Sequence, residues 1–325
     1  MTVSPLIWAA FLAFILAMLL LDLWRHRDHE KVTLRDAGLW SAVWVTLGLS
    51  FAVVILLWEG GHAATEYLTG YVIEKSLSVD NIFVFAIVFS YFSVPLKYQH
   101  NVLFWGIFGA LVFRAIFIFA GVALLEQFHW MVYVFGAFLV FTGIRMWFHD
   151  EEQVHPEKNP VLKLLRRAFP ISRDFDGPHF LTVEDGRRMA TPMLAVLVVV
   201  ETTDIVFAVD SIPAILAITQ DRFLVFSSNA FAILGLRALY FLLAGVMDRF
   251  IYLRNGLSFV LAYVGVKMLL TALHIEINTV LSLGIIATAL TVSIVASLRS
   301  TKPEAQAARQ KRPGAEPAER ATAEK

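Results

Sequence analysis

The stretch ETTDIVFAVDSIPA, residues 201–214, sets three carboxylates, Glu201, Asp204 and Asp210, inside an otherwise apolar run. The stretch EKSLSVDN, residues 74–81, does the same with Glu74 and Asp80. Carboxylates surrounded by hydroxyl, amide and carbonyl oxygens are the donors that suit hard cations such as Mg2+, Mn2+ or Ca2+. Ser76, Ser78, Asn81 and Ser211 offer such oxygens. So does the carbonyl of Val209, because Pro213 has no N–H to give it. Softer metals lack their ligands, since the chain has no cysteine and no histidine falls in the interior of an apolar run. The missing cysteine also excludes disulfides, cysteine nucleophiles and iron–sulfur clusters. Two other uses of buried carboxylates stay open, a proton relay and ion pairs that merely tie helices together. Lys75, Arg114, Arg145, Arg237 and Lys267 lie in apolar runs as well, so partners for such pairs exist.

The elements that must carry these residues are membrane spans. The 325 residues are 58% hydrophobic and 17% charged, with a mean hydropathy of +0.67, which places the chain among all-α polytopic membrane proteins. Apolar runs at about 5–23, 37–58, 66–93, 102–125, 128–148, 192–219, 223–247, 257–274 and 278–298 predict nine transmembrane helices. A charge at the centre of such a helix costs roughly 2.5–3.5 kcal/mol on insertion scales, so each one calls for a function or a partner. The first run lacks a basic leader and a small-residue cleavage site and is read as a retained span. Of the 27 Lys and Arg, 21 fall on one side of these spans, five within them, and Arg222 alone on the other side. That asymmetry predicts an N terminus outside and a cytoplasmic C terminus.

The acidic stretches are also copies of one another. Aligning Val79-Asp80-Asn81-Ile82 on Val209-Asp210-Ser211-Ile212 places Glu74 on Asp204. The following span repeats an Arg-Ala pair at Arg114 and Arg237, and the next repeats TGIRM (142–146) as VGVKM (264–268). Three helices echoed in order by three later ones predict an inverted repeat, because an odd number of spans turns the second copy over. The organisation expected is two N-terminal helices (1–58), a first three-helix unit (59–148), a cytoplasmic loop (149–191), a second unit (192–274), a ninth helix (275–298) and a disordered tail (299–325). Within the loop, Asp185-Gly186 between short β-type runs predicts a hairpin. The basic segment KLLRRAF, 163–169, suits a helix lying on anionic lipid or a plain linker helix. Acidic residues and histidines in the external turns, such as Glu59, His62 and Glu66, either collect a cation or only mirror the Lys/Arg asymmetry. No phosphate loop, zinc-protease motif or nucleophile elbow stands in its required context, so an enzyme is not expected, nor is a self-contained ATP-driven pump.

EKSLSVDN, ETTDIVFAVDSIPA, LRALYF (236–241) and DGRRMATP (185–192) resemble the TerC/Alx family of integral membrane proteins, over roughly residues 5–298. The resemblance implies a multi-pass bacterial inner-membrane exporter related to the LysE superfamily, associated by name with tellurite resistance, with Mn2+ as transported substrate and no permanently bound cofactor. It implies metal-site positions at Glu74, Asp80, Glu201, Asp204 and Asp210. Asn81 and Ser211 join them as further oxygen donors, with Arg114, Arg237 and Lys75 as charge partners. Alternating access around a midplane site, with protons as a coupling ion, is the expected mechanism. The partners are lipid and metal ion, not nucleic acid. The competing expectation is a non-transporting scaffold that assists the assembly of membrane or exported metalloproteins. Amino-acid export is less well matched by a site made of carboxylates.

Overall fold

The computed structural model describes residues 3–25, 33–148, 159–172, 174–184, 186–243, 252–275 and 277–300. The tail from 301 on, Asp185 and Glu276 lie outside the described residues. The chain is almost entirely helical: α1 (Pro5–Arg25), α2 (Leu34–Glu59), α3 (Gly61–Tyr91), α4 (Leu96–Gln127), α5 (Met131–Phe148), α6 (Pro160–Ala168), then β1 (Leu181–Glu184) and β2 (Arg187–Ala190), and finally α7 (Pro192–Leu216), α8 (Arg222–Ile233), α9 (Leu236–Leu243), α10 (Leu253–Ala272) and α11 (Thr279–Arg299). Local sequence sets several of the boundaries. Thr33 caps α2 by accepting from the Asp36 amide at 3.2 Å. Asp221 caps α8 by accepting from the amides of Phe223 and Leu224 at 2.9 and 3.1 Å. Pro160 and Pro192 open α6 and α7, where a missing N–H costs nothing.

Among the described residues, eight segments are long and apolar enough to cross a membrane: α1, α2, α4, α5, α7, the stretch Arg222–Leu243, α10 and α11. The remaining anticipated span, α3, has the length, at 31 residues, but carries Glu66, Glu74, Lys75 and Asp80 along it. Large apolar side chains such as Leu6, Leu57 and Phe148 are more than three-quarters exposed, as expected where lipid is the solvent. The described residues between the fifth and sixth spans form α6 and the anticipated hairpin, with Leu181 opposite Ala190. Leu162 of α6 is buried, and the helix packs on α7.

The seventh span differs from the single helix expected over 223–247. It breaks at Leu234–Gly235 into α8 and α9, and residues 244–250 lie outside the described set. Gly235 has φ +80°, and a Cβ there would meet the Trp44 side chain at 2.5 Å. A left-handed residue under a tryptophan stops the helix, and glycine is the residue that tolerates both conditions. This broken segment is almost wholly enclosed by protein.

Around it, α3 packs on α8 and α7, α4 packs on α7 and α8, and α5 packs on α10. Contact order gives the directions. Gly143 of α5 faces Ser258 and Ala262 of α10, while Gly265 of α10 faces Gly136 and Val140 of α5. The register of these two helices therefore runs in opposite senses. Their backbones come so close that a Cβ on Gly143 would sit 2.6 Å from the Ala262 nitrogen. Along α4, Gly106, Gly109 and Gly121 meet Val200, Glu201 and Leu216 in the same order, so α4 and α7 run parallel.

Candidate functional site

Arg114 lies midway along α4 with 1% of its surface exposed. An ionised guanidinium in such a place needs acceptors for all its donors. Its Nε and Nη2 donate to Asp204 Oδ2 and Oδ1 at 3.2 and 3.0 Å, a bidentate pairing. Its Nη1 donates to Glu74 Oε1 and reaches the Ser211 hydroxyl and Asn229 Oδ1 at 3.5 and 3.4 Å. Asn81 Nδ2 donates to Asp204 Oδ1 at 3.0 Å. The cluster thus joins α3, α4, α7 and α8 through residues from both acidic stretches. Glu74 of α3 and Asp204 of α7, aligned positions in the sequence, meet on one arginine.

Two features mark this as more than a closed ion pair. The two carboxylates outnumber the one cation, leaving a net charge of −1 when all three are ionised. In addition, Glu74 Oε2, Asn81 Oδ1 and Asn229 Nδ2 are buried and make no hydrogen bond among the described residues. Buried polar atoms are almost always satisfied, so unsatisfied oxygens clustered at a negatively charged centre leave acceptors that a cation or an ordered donor could use.

The other anticipated residues lie around this cluster. Glu201 sits one turn before Asp204 on α7, with Oε2 buried and without a donor. Its carboxylate fits against α4 because Gly109 has no side chain; a methyl group there would overlap it. Asp210, half-buried, turns to α5 and accepts a hydrogen bond from Thr142 Oγ1 at 3.3 Å. Arg145 follows three residues later, on the same side of α5. Asp80 is in α3, but its side chain lies outside what the structure describes. Ser76 and Ser78 turn their hydroxyls back to the carbonyls of Val72 and Glu74 in their own helix.

Arg237, the aligned counterpart of Arg114, does not reach this cluster. Its Nε lies 3.4 Å from Asp22 Oδ2, and its Nη2 donates to the Asp22 carbonyl at 3.0 Å, tying α9 to α1. Lys75 meets no carboxylate among the described residues; it donates to the carbonyls of Ala232 and Leu234. Among the described residues, no three of the His, Asp and Glu side chains stand close enough to hold one metal ion by themselves. Reasoning from sequence passed over Asn229 and Thr142. The signal for Asn229 was the polar triplet Ser227-Ser228-Asn229 in an apolar span.

The chain matches the family described as "Integral membrane protein TerC family" over residues 59–305, which takes in every helix of the site. It is 51% identical to the uncharacterized membrane protein STKORF319 of Myxococcus xanthus over 296 residues, 91% of this chain and 92% of that one. It is 45% identical to Alx of Escherichia coli (strain K12) over 293 residues, 87% of this chain and 91% of the relative, whose name describes a proposed membrane-bound redox modulator. An uncharacterized membrane protein of Rickettsia bellii is 36% identical over 292 residues, 90% and 96% of the two chains. No solved structure matches.

Proposed function

Because this chain belongs to the TerC family of integral membrane proteins, we propose that it carries a hard divalent cation, Mn2+ in the first instance, out of the cytoplasm across the bacterial inner membrane. The observation that supports this reading is the excess of buried carboxylate at the junction of α3, α4, α7 and α8, where Glu74 and Asp204 share Arg114 and the oxygens Glu74 Oε2, Asn81 Oδ1 and Glu201 Oε2 lack donors. Oxygen donors without imidazole or thiolate favour Mn2+, Mg2+ or Ca2+ over softer ions.

Arg114 is the internal competitor for the substrate. A divalent ion that takes Asp204 and Glu74 as ligands must displace the guanidinium, which can swing toward Asn229 and Ser211, both already within its reach. After the ion leaves, the arginine returns and neutralises the carboxylates. The cluster therefore never holds two bare buried charges, a condition that would cost several kcal/mol. Asp210 and Glu201 extend the carboxylate path beyond the cluster, Asp80 joins the scheme by its place in the acidic stretch, and protons exchanged at these acids are the coupling ion.

Alternating access needs two bodies that move against one another. Exchanging α3, α4 and α5 for α7, α8–α9 and α10 leaves the neighbour relations unchanged: α3 on α8 becomes α7 on α4, while α5 on α10 maps onto itself. The reciprocal glycine contacts of α5 and α10 follow the same exchange. This favours an inverted repeat with the α5–α10 contact as its axis, while the apolar runs and the Lys/Arg asymmetry support nine spans with the N terminus outside. The chain has no cysteine, so a redox role like the one named for the Escherichia coli relative would not run through a thiol here.

The test is Mn2+ entry into liposomes that hold a Mn2+-sensitive dye and contain the purified protein, with Asp204→Asn and Asp210→Asn alongside. Flux in the wild type that is lost in both variants is expected. No flux in the wild type under either a Mn2+ or a proton gradient would overturn transport and leave the scaffold role.

A further inference from the structure

The break between α8 and α9 exposes carbonyls that an unbroken helix would satisfy. Leu234 closes α8 by donating its amide to the Ala230 carbonyl, Gly235 turns the chain left-handed, and α9 restarts with the Leu239 amide on the Gly235 carbonyl. The carbonyls of Ala232 and Leu234 therefore have no helical partner. They sit at the negative end of the α8 dipole, and Ala232 and Leu234 are at most 2% exposed. In membrane carriers with interrupted helices, such freed carbonyls and half-helix C termini coordinate a monovalent cation. Here the position is filled from within. Lys75 Nζ, on α3, donates to the carbonyls of Ala232 and Leu234 at 3.0 and 3.5 Å.

The two aligned units give this arrangement an internal control. By the alignment that sets Glu74 on Asp204, Lys75 corresponds to Ile205 of α7. By the one that sets Arg114 on Arg237, Gly235 corresponds to Val112, and α4 runs unbroken through that position. One unit pairing, α3 with α8, has both the break and the ammonium; the other, α7 with α4, has neither. A lysine that served only to hold helices together would have no reason to track the break. Nor does it meet a carboxylate among the described residues: Glu74, its chain neighbour, goes to Arg114 instead.

We propose that the α8–α9 break is a monovalent-cation site and that the Lys75 ammonium is its tethered occupant, so that the protein needs no free Na+ or K+ where an interrupted helix would otherwise require one. This holds whether or not the chain carries metal.

The experiment is thermal unfolding of the purified full-length protein, followed by tryptophan fluorescence, in choline, sodium and potassium chloride at equal ionic strength. The wild type should melt at one temperature in all three. Lys75→Ala, which empties the position, should melt lower in choline and recover saturably with Na+ or K+, the two arms identifying the ion. Lys75→Met, which fills the space without charge, should melt lower and not recover. A Lys75→Ala loss equal in every salt would overturn the proposal, as would Lys75→Gln melting like the wild type, since amide donors alone would then suffice. If Lys75→Ala is obtained folded only when purified in sodium, the proposal stands; a yield lost in both sodium and choline overturns it.

Discussion

Replacing Arg114 by leucine removes the one cation shared by Glu74 and Asp204 while keeping an apolar side chain in a position that is 1% exposed. Removing one partner of a buried ion pair costs about 3–5 kcal/mol, because the remaining charge keeps its desolvation penalty without its compensation. Here two carboxylates are left rather than one, so the upper part of that range applies unless one of them takes up a proton. A cost of about 4 kcal/mol lowers the folding equilibrium by nearly three orders of magnitude, at about 1.4 kcal/mol per tenfold. The double variant Arg114→Leu/Asp204→Leu removes the bidentate partner together with the cation. It should therefore be less destabilised than the sum of the two single changes by about 1–3 kcal/mol. Reversible unfolding of the reconstituted protein, applied to the wild type, both singles and the double, reads this coupling directly. A single-variant loss below about 1 kcal/mol, or additive losses in the cycle, would refute the view that Arg114 is the obligate counter-ion of the cluster.

Gly109→Val should overlap the Glu201 carboxylate on the facing helix and reduce Mn2+ flux without loss of membrane insertion; unchanged flux would remove Glu201 from the path. Gly143→Leu and Gly265→Leu should each force α5 and α10 apart, since backbone atoms of the partner helix lie within 3 Å of the new Cβ; the expected cost is at least about 1–3 kcal/mol, read as a lower melting temperature. Asp22→Ala should leave Arg237 buried at 3% exposure without its carboxylate, loosening α1 from α9 and increasing proteolysis or exchange in α1, while Mn2+ binding at the α3–α7 cluster stays within about twofold.

The two acidic stretches already carried much of the site in the chain itself. Charged residues in apolar runs are expensive in lipid, so Glu74, Asp204 and Arg114 stood out by cost alone, and all three lie at one centre. What spacing could not say was which base each acid would choose. Arg114 and Arg237 occupy aligned positions, yet one gathers the central carboxylates and the other ties α9 to α1 through Asp22. Asp22 belongs to the first span, remote in sequence from either unit, and no local pattern connects the two. Lys75 looked equally suited to a carboxylate but is bound to carbonyls, because the partner it serves is created by a helix break.

Membrane class, the approximate span boundaries, the loop hairpin and the pairing of the two acidic stretches were determined by the sequence, because hydropathy, capping residues and internal likeness are properties of neighbouring residues. The break at Gly235 was settled only by tertiary structure, since a glycine within an apolar run is compatible with a continuous helix until Trp44 of another helix presses on it. The same holds for the division of labour among the charges. Each buried charge takes whichever acceptor the packed helices bring within hydrogen-bond reach, and that distance is a property of the bundle rather than of the chain.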